Sequence, residues 1–223
     1  MCGRFVQDLD SGMLAAIYNL VSASELPPRY NIAPSQPVAA VRQQQTGARE
    51  LTWLQWGLIP RWAKDPAIGR KLSNARSETA HEKPSFRQAL KHRRCLIPAG
   101  GFYEWQRQGL EKQPFYIRRR DGEPLSLAGL WERWAAPTGE ILETCSILTT
   151  RANGLLQQLH ERMPVVLQRE QFGLWLNRAV SDCGLLSELL QPCAAELLES
   201  YPVTREVNRP AFDRPECIRP LTA

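Results

Sequence analysis

The sequence predicts one α+β domain: a mostly antiparallel, barrel-like β core with peripheral helices. Three observations lead there. Apolar stretches of strand length recur at close spacing, turn dipeptides separate several of them, and no regular alternation of strand and helix marks a parallel doubly wound sheet. No internal repeat, low-complexity tract or shift in composition divides the 223 residues, a length that suits one generous domain.

Taken in order, Met1 to Gln7 reads as a short strand, and Ser11 to Val21 has helical spacing after a capping signal at Asp10/Ser11. Pro27-Pro28 breaks into a loop, Arg29-Tyr30-Asn31-Ile32-Ala33-Pro34. Val38 to Arg42 and Glu50 to Leu58 read as strands joined through Thr46-Gly47, and Ile59-Pro60-Arg61-Trp62 opens a long polar connection. Ala75 to His81 and Ser85 to Lys91 have the look of short helices. Strand patterns follow at Leu96 to Gln106, Phe115 to Arg119, Leu125 to Trp134 and Thr144 to Leu148. Gln108-Gly109, Asp121-Gly122 and Thr138-Gly139 punctuate them as consecutive hairpins. Leu155 to His160 reads as helical and Pro164 to Leu167 as extended. Helices are expected over Arg169 to Asn177 and Gly184 to Leu190, and a last strand over Tyr201 to Val207, ahead of a Pro-rich tail.

Composition narrows the partners. Lys and Arg number 28 against 23 Asp and Glu, a net charge of +5, and Arg outnumbers Lys. This favours polyanionic partners without establishing one, although the planar guanidinium grips phosphate with two prongs. No apolar run approaches a membrane span, and the N-terminus lacks the apolar block and cleavage site of a secretory signal; a cytoplasmic protein is expected. The six cysteines, at 2, 95, 145, 183, 193 and 217, show no CxxC spacing and read mainly as reduced, buried small hydrophobes. His81, His92 and these cysteines match no zinc pattern. No Gly-rich phosphate loop is present. Neither a metal nor another cofactor is expected.

Cys2 stands apart. Initiator methionine is typically trimmed before a small residue, so the mature chain begins with cysteine. That terminus carries an amine with a pKa of about 8 beside a thiol of about 8.5. Amine and thiol together can close an aldehyde into a thiazolidine. The same terminus also suits an N-terminal nucleophile that attacks amides. Other segments have the makings of a site. Ser73-Asn74-Ala75-Arg76-Ser77-Glu78-Thr79 combines an amide with a guanidinium. Gly100-Gly101-Phe102-Tyr103-Glu104-Trp105 sets a carboxylate among aromatics, where desolvation raises its pKa toward an acid/base range. His160-Glu161-Arg162-Met163-Pro164 places a histidine beside an arginine. Each has an ordinary structural role open to it: a cap for Asn74, a surface strand position for Glu104, a satisfied histidine for His160.

These segments occur in order with Met1-Cys2-Gly3-Arg4-Phe5, Arg29-Tyr30-Asn31-Ile32-Ala33-Pro34, Trp56-Gly57-Leu58-Ile59-Pro60 and Trp62. The set resembles the SRAP family, the SOS-response-associated peptidase fold that shields abasic sites in DNA. The resemblance runs from Met1 to about Asn208; the tail, Arg209 to Ala223, is less clearly similar and is assigned no role. It implies one compact domain with a DNA-binding channel and an active site of Cys2, Asn74, Glu104 and His160. It further implies phosphate contacts by Arg76 and Arg162, Arg4 near the lesion, and Trp62 stacking or wedging against bases. Phe86 is a weaker candidate for DNA contact, with core packing its main expectation. The implied partner is single-stranded DNA containing abasic sites, engaged by a monomer. The implied chemistry is covalent trapping of the ring-opened sugar, with lyase activity through the same imine and removal of Met1 by the chain itself or by an aminopeptidase. Amide hydrolysis by Cys2 and noncovalent single-strand binding are the competing function classes.

Overall fold

The computed structural model describes residues 2–22, 24–109 and 111–221. Five strands close a small barrel: β3 (Pro37–Gln43), β4 (Arg49–Trp56), β6 (Arg94–Ala99), β9 (Leu125–Ala135) and β10 (Ile141–Arg151). Pairings run β10–β4–β3–β6–β9, and β9 returns to β10 to complete the ring. All are antiparallel except β4–β10, which is parallel through Thr144↔Gln55 and Cys145↔Trp56. Two short strands extend β10 beyond the ring: β5 (Asn74–Arg76), parallel, and β11 (Arg162–Pro164), antiparallel. A second, wholly antiparallel sheet packs beside the barrel. It contains β1 (Phe5–Gln7), β2 (Arg29–Ile32), β7 (Gly101–Gln108), β8 (Glu111–Arg119) and β12 (Leu198–Pro202), in the order β12-β8-β7-β1-β2.

Strand periodicity explains how two cores form. Alternate residues of the five barrel strands, among them Val38, Leu54, Ile97, Leu127 and Ile147, meet in one buried cluster that also takes in Cys2 and Phe5. The residues between them, such as Val41, Leu96, Leu130 and Leu148, face outward into a second cluster. That outer face is covered by α1 (Ser11–Tyr18), α2 (Arg87–His92), α3 (Phe172–Leu176) and α4 (Cys183–Glu188). Phe86 packs here, 7% exposed. Asp10 caps α1 by accepting from the Met13 N–H, and Asn19, with φ 53°, ends it at Tyr18 rather than Val21.

Several segments differ from the sequence reading, each for a tertiary reason. Arg29–Ile32 is a strand, because β1 offers it a partner edge through Phe5↔Ile32 and Gln7↔Arg29. The expected helix at Ala75 to His81 is β5 followed by turns, since the free edge of β10 beyond β4 captures Asn74–Arg76. Leu96 to Gln106 is not one strand. It breaks at Gly100, β6 entering the barrel and β7 the second sheet. A Cβ on Gly101 would lie 2.5 Å from the Tyr116 ring and the Ile117 carbonyl, so that crossing requires glycine. For the same reason β8 and β9 are not a hairpin: the Asp121-Gly122 turn carries the chain between sheets. The turns at Gly109 and Gly139 do join true hairpins, β7–β8 and β9–β10. Leu155 to His160 contains only a 3-10 turn, Leu156–Gln158, and the last strand is Leu198–Pro202, followed by a 3-10 turn at Arg205–Asn208. Met1, the first residue of the expected N-terminal strand, lies outside the described residues.

The tail is tied to the body. Asp213 accepts from the Arg29 guanidinium and from the backbone N–H groups of Tyr30 and Asn31. Asn31, fully buried, donates through Nδ2 to the carbonyls of Val207, Arg209 and Phe212. No helix among the described residues is long and apolar enough to cross a membrane.

Candidate active site

Four separate segments bring the predicted residues together where the second sheet meets the barrel. Cys2 precedes β1 and is fully buried, its carbonyl accepting a 2.8 Å hydrogen bond from Asn74 Nδ2. Asn74 opens β5. The period of two turns Ala75 into the outer core and leaves Asn74 and Arg76 on the other face of the strand. Asn74 Oδ1 is buried without a partner among the described residues, which leaves an acceptor beside Cys2 for an N–H or O–H. Arg76 is exposed.

Glu104 lies on β7 opposite Phe115 and is 3% exposed. Burial holds its carboxyl above the ordinary carboxylate range. It is close enough to act on Cys2: burial pushes the Cys2 thiol up, and the Glu104 charge pushes the same way. The thiol is therefore protonated at neutral pH and needs a base to react. His160 follows the 3-10 turn at Leu156–Gln158, and its Nδ1 accepts the backbone N–H of Arg162 at 2.9 Å. Burial holds His160 below its usual pKa. With Nδ1 occupied as an acceptor, the ring proton of the neutral imidazole sits on Nε2.

Glu104 and His160 line the same open cleft, of about 880 Å³, together with Arg4, Trp105, Arg107 and Lys112. Arg4 is braced rather than loose: its Nη1 donates to Asn31 Oδ1 at 3.0 Å and to the Val207 carbonyl at 2.9 Å. Arg162 is engaged too. Its guanidinium grips Glu78 with two bonds, of 2.6 and 2.8 Å, and donates to the Thr149 carbonyl at 2.6 Å. Trp62 is 59% exposed on the loop after β4, and it does not line this cleft. That loop is anchored by Trp134 Nε1, which donates to the Ala63 carbonyl. Gly57 shapes its start with φ +131°, and a Cβ there would lie 2.7 Å from the Gly69 carbonyl oxygen.

Trp105, Arg107, Lys112 and Asn208 are cleft residues that the sequence did not single out. Trp105 donates to Asn208 Oδ1 at 2.7 Å, joining β7 to the turn that braces Arg4. Trp105 and Arg107 lie on the opposite face of β7 from Glu104, so the period of two along the strand gave no signal for them. All six cysteines are free thiols, and no three His, Cys, Asp or Glu among the described residues converge as a metal site requires.

Comparison with known proteins agrees with this architecture. A model of the family described as SOS response associated peptidase (SRAP) matches residues 1–210. The abasic site processing protein YoqW of Bacillus subtilis is 43% identical, covering 98% of this chain and 99% of that one. The abasic site processing protein HMCES of Gallus gallus is 34% identical over 87% of this chain and 66% of its own length. A crystal structure of a protein from Bacteroides thetaiotaomicron superposes with a TM-score of 0.89, at 29% identity, over 99% of this chain and all of that one. Fold, residue order and the match over nearly the whole length agree: the chain belongs to the SOS response associated peptidase (SRAP) family.

Proposed function

We propose that this chain processes abasic sites in DNA, and that its mature form, beginning at Cys2, covalently traps the ring-opened sugar in single-stranded DNA and shields the lesion. One observation carries this reading. Cys2 is held through its carbonyl by Asn74 and lies within the influence of Glu104, a buried carboxylate on the wall of a cationic cleft. The names of the Bacillus and chicken relatives support the same substrate.

The chemistry follows from the atoms available. Glu104 carries the C1′ hydroxyl proton to the ring oxygen as the C1′–O4′ bond breaks, while the Nε2–H of His160 stays on the imidazole and hydrogen-bonds to that oxygen, leaving an aldehyde. The Cys2 amine adds to C1′, Glu104 relays its two protons in turn to the oxygen, and water departs to give the imine. Glu104 then draws the thiol proton toward the imine nitrogen as sulfur bonds to C1′, closing the thiazolidine. β-Elimination from the imine, which cuts the strand, competes until the ring closes. Removal of Met1 is a prerequisite, because only then does the amine belong to Cys2.

Denaturing gels of mature protein with an abasic single-stranded oligonucleotide test the proposal. A crosslink should survive without borohydride, and Cys2→Ala should lose it while retaining at most a reducible imine. A borohydride-independent adduct from Cys2→Ala would falsify the thiazolidine. Hydrolysis of glutamine without crosslinking would favour acyl chemistry instead.

A further inference from the structure

The far end of the β7–β8 hairpin sets Arg107 directly across from Lys112. Like charges directly opposite on an antiparallel ladder repel and weaken it. Both side chains are exposed, both line the cleft that holds Glu104 and His160, and neither has an ion pair among the described residues. The neighbouring acid, Glu111, is engaged with Arg205. The adjoining Gln106↔Gln113 pair is neutral, so the ladder itself does not call for charge here.

We infer that Arg107 and Lys112 form an anion clamp for a backbone phosphate of the bound strand, one step beyond the phosphates flanking the trapped sugar. The inference deepens the proposed function and rests on it. Arg107 lies three positions along β7 from Glu104, about 10 Å at the strand rise of about 3.3 Å per residue, and on the other face of the strand, while both line the cleft. That is too far to touch the reacting sugar and suits the next phosphate along. Two cations converging from opposite strands fit one anion between them, and its charge removes the repulsion that the hairpin otherwise carries.

The test uses mature protein and the Arg107→Gln/Lys112→Gln variant, which removes both charges while keeping extended polar side chains. Affinity for single-stranded oligonucleotides bearing an unreactive abasic analogue is measured over a salt series and a length series. On long oligonucleotides the variant should bind more weakly, and its slope of log K against log salt should be shallower by about 0.7 for each phosphate no longer neutralised. The difference should vanish on an oligonucleotide with one nucleotide on either side of the analogue. Without DNA, the variant should melt no lower than wild type, since a repulsion has been removed. Arg107→Lys should keep the wild-type slope. An unchanged slope, an equal weakening at every length, or a lowered melting temperature overturns the clamp. Failure of wild-type protein to crosslink any abasic oligonucleotide overturns the proposed function itself, so the two failures are separable.

Discussion

The backbone N–H of Arg162 donates to Nδ1 of His160 at 2.9 Å, so the imidazole presents its proton on Nε2. A second proton on Nδ1 would meet that N–H head-on. Burial holds His160 below its usual pKa and so neutral, the form whose Nε2–H is proposed to donate a hydrogen bond to a sugar oxygen. His160→Ala should slow trapping about a hundredfold without weakening affinity for an unreactive abasic analogue. His160→Gln, which restores a side-chain N–H, should recover part of the rate. Equal single-turnover rates for wild type and His160→Ala would remove the histidine from the chemistry.

Arg162 is proposed to hold a phosphate, and Glu78 fills its guanidinium fork in the free protein. A phosphate must displace that carboxylate. Glu78→Gln should therefore tighten binding of single-stranded DNA severalfold. Arg162→Ala and Arg76→Ala should each weaken it and flatten the salt slope by about 0.7. Arg162 keeps its bond to the Thr149 carbonyl in Glu78→Gln, so the side chain stays ordered. Weaker binding by Glu78→Gln would make the pair a structural brace.

Glu104 links reactivity to stability. Its carboxyl is held above the ordinary range by burial, so the folded state favours the protonated form. The stability this contributes is present in full below the unfolded-state pKa and is lost as pH rises through the folded one. In the proposed mechanism trapping needs the carboxylate and should accelerate over that same rise. Glu104→Gln should match wild type in melting temperature at low pH and exceed it near pH 8. It should crosslink about a hundredfold more slowly or worse. Thermal melts and crosslinking rates from about pH 5 to 8 decide this; a variant less stable than wild type at the upper end contradicts the assignment.

Asp213 tests the tail. Its carboxylate receives Arg29 and two backbone N–H groups, and charge-assisted bonds of this kind contribute about 1.5–3 kcal/mol. Asp213→Ala should lower the melting temperature by roughly 4–10 °C. Loss of order around Asn31 should also loosen Arg4 and reduce affinity for abasic-analogue DNA. A melt indistinguishable from wild type would show that the tail is dispensable.

Much of this protein is readable along the chain because strand period and turn chemistry are local. The Gly109 and Gly139 hairpins, the α1 cap at Asp10 and the alternation of Val38 to Val41 depend on neighbours a few residues away. The chemical identity of the site is local as well. An aminothiol can exist only at the first residue of the mature chain, and a carboxylate flanked by Tyr103 and Trp105 declares a desolvated acid.

Partnership across the fold is not local, and only the tertiary structure decided it. Arg29–Ile32 and Asn74–Arg76 are too polar and short to declare themselves strands; the edges of β1 and β10 make them so by pairing with backbone groups that would otherwise go unsatisfied. Closure of β9 onto β10 is likewise a property of the whole ring. Once formed, it holds Asn74 against the Cys2 carbonyl across 72 positions of chain. Sequence determines which groups are available; which of them meet is set by the packing and pairing of distant strands, whose hydrogen bonds and buried area have no counterpart in the order of residues.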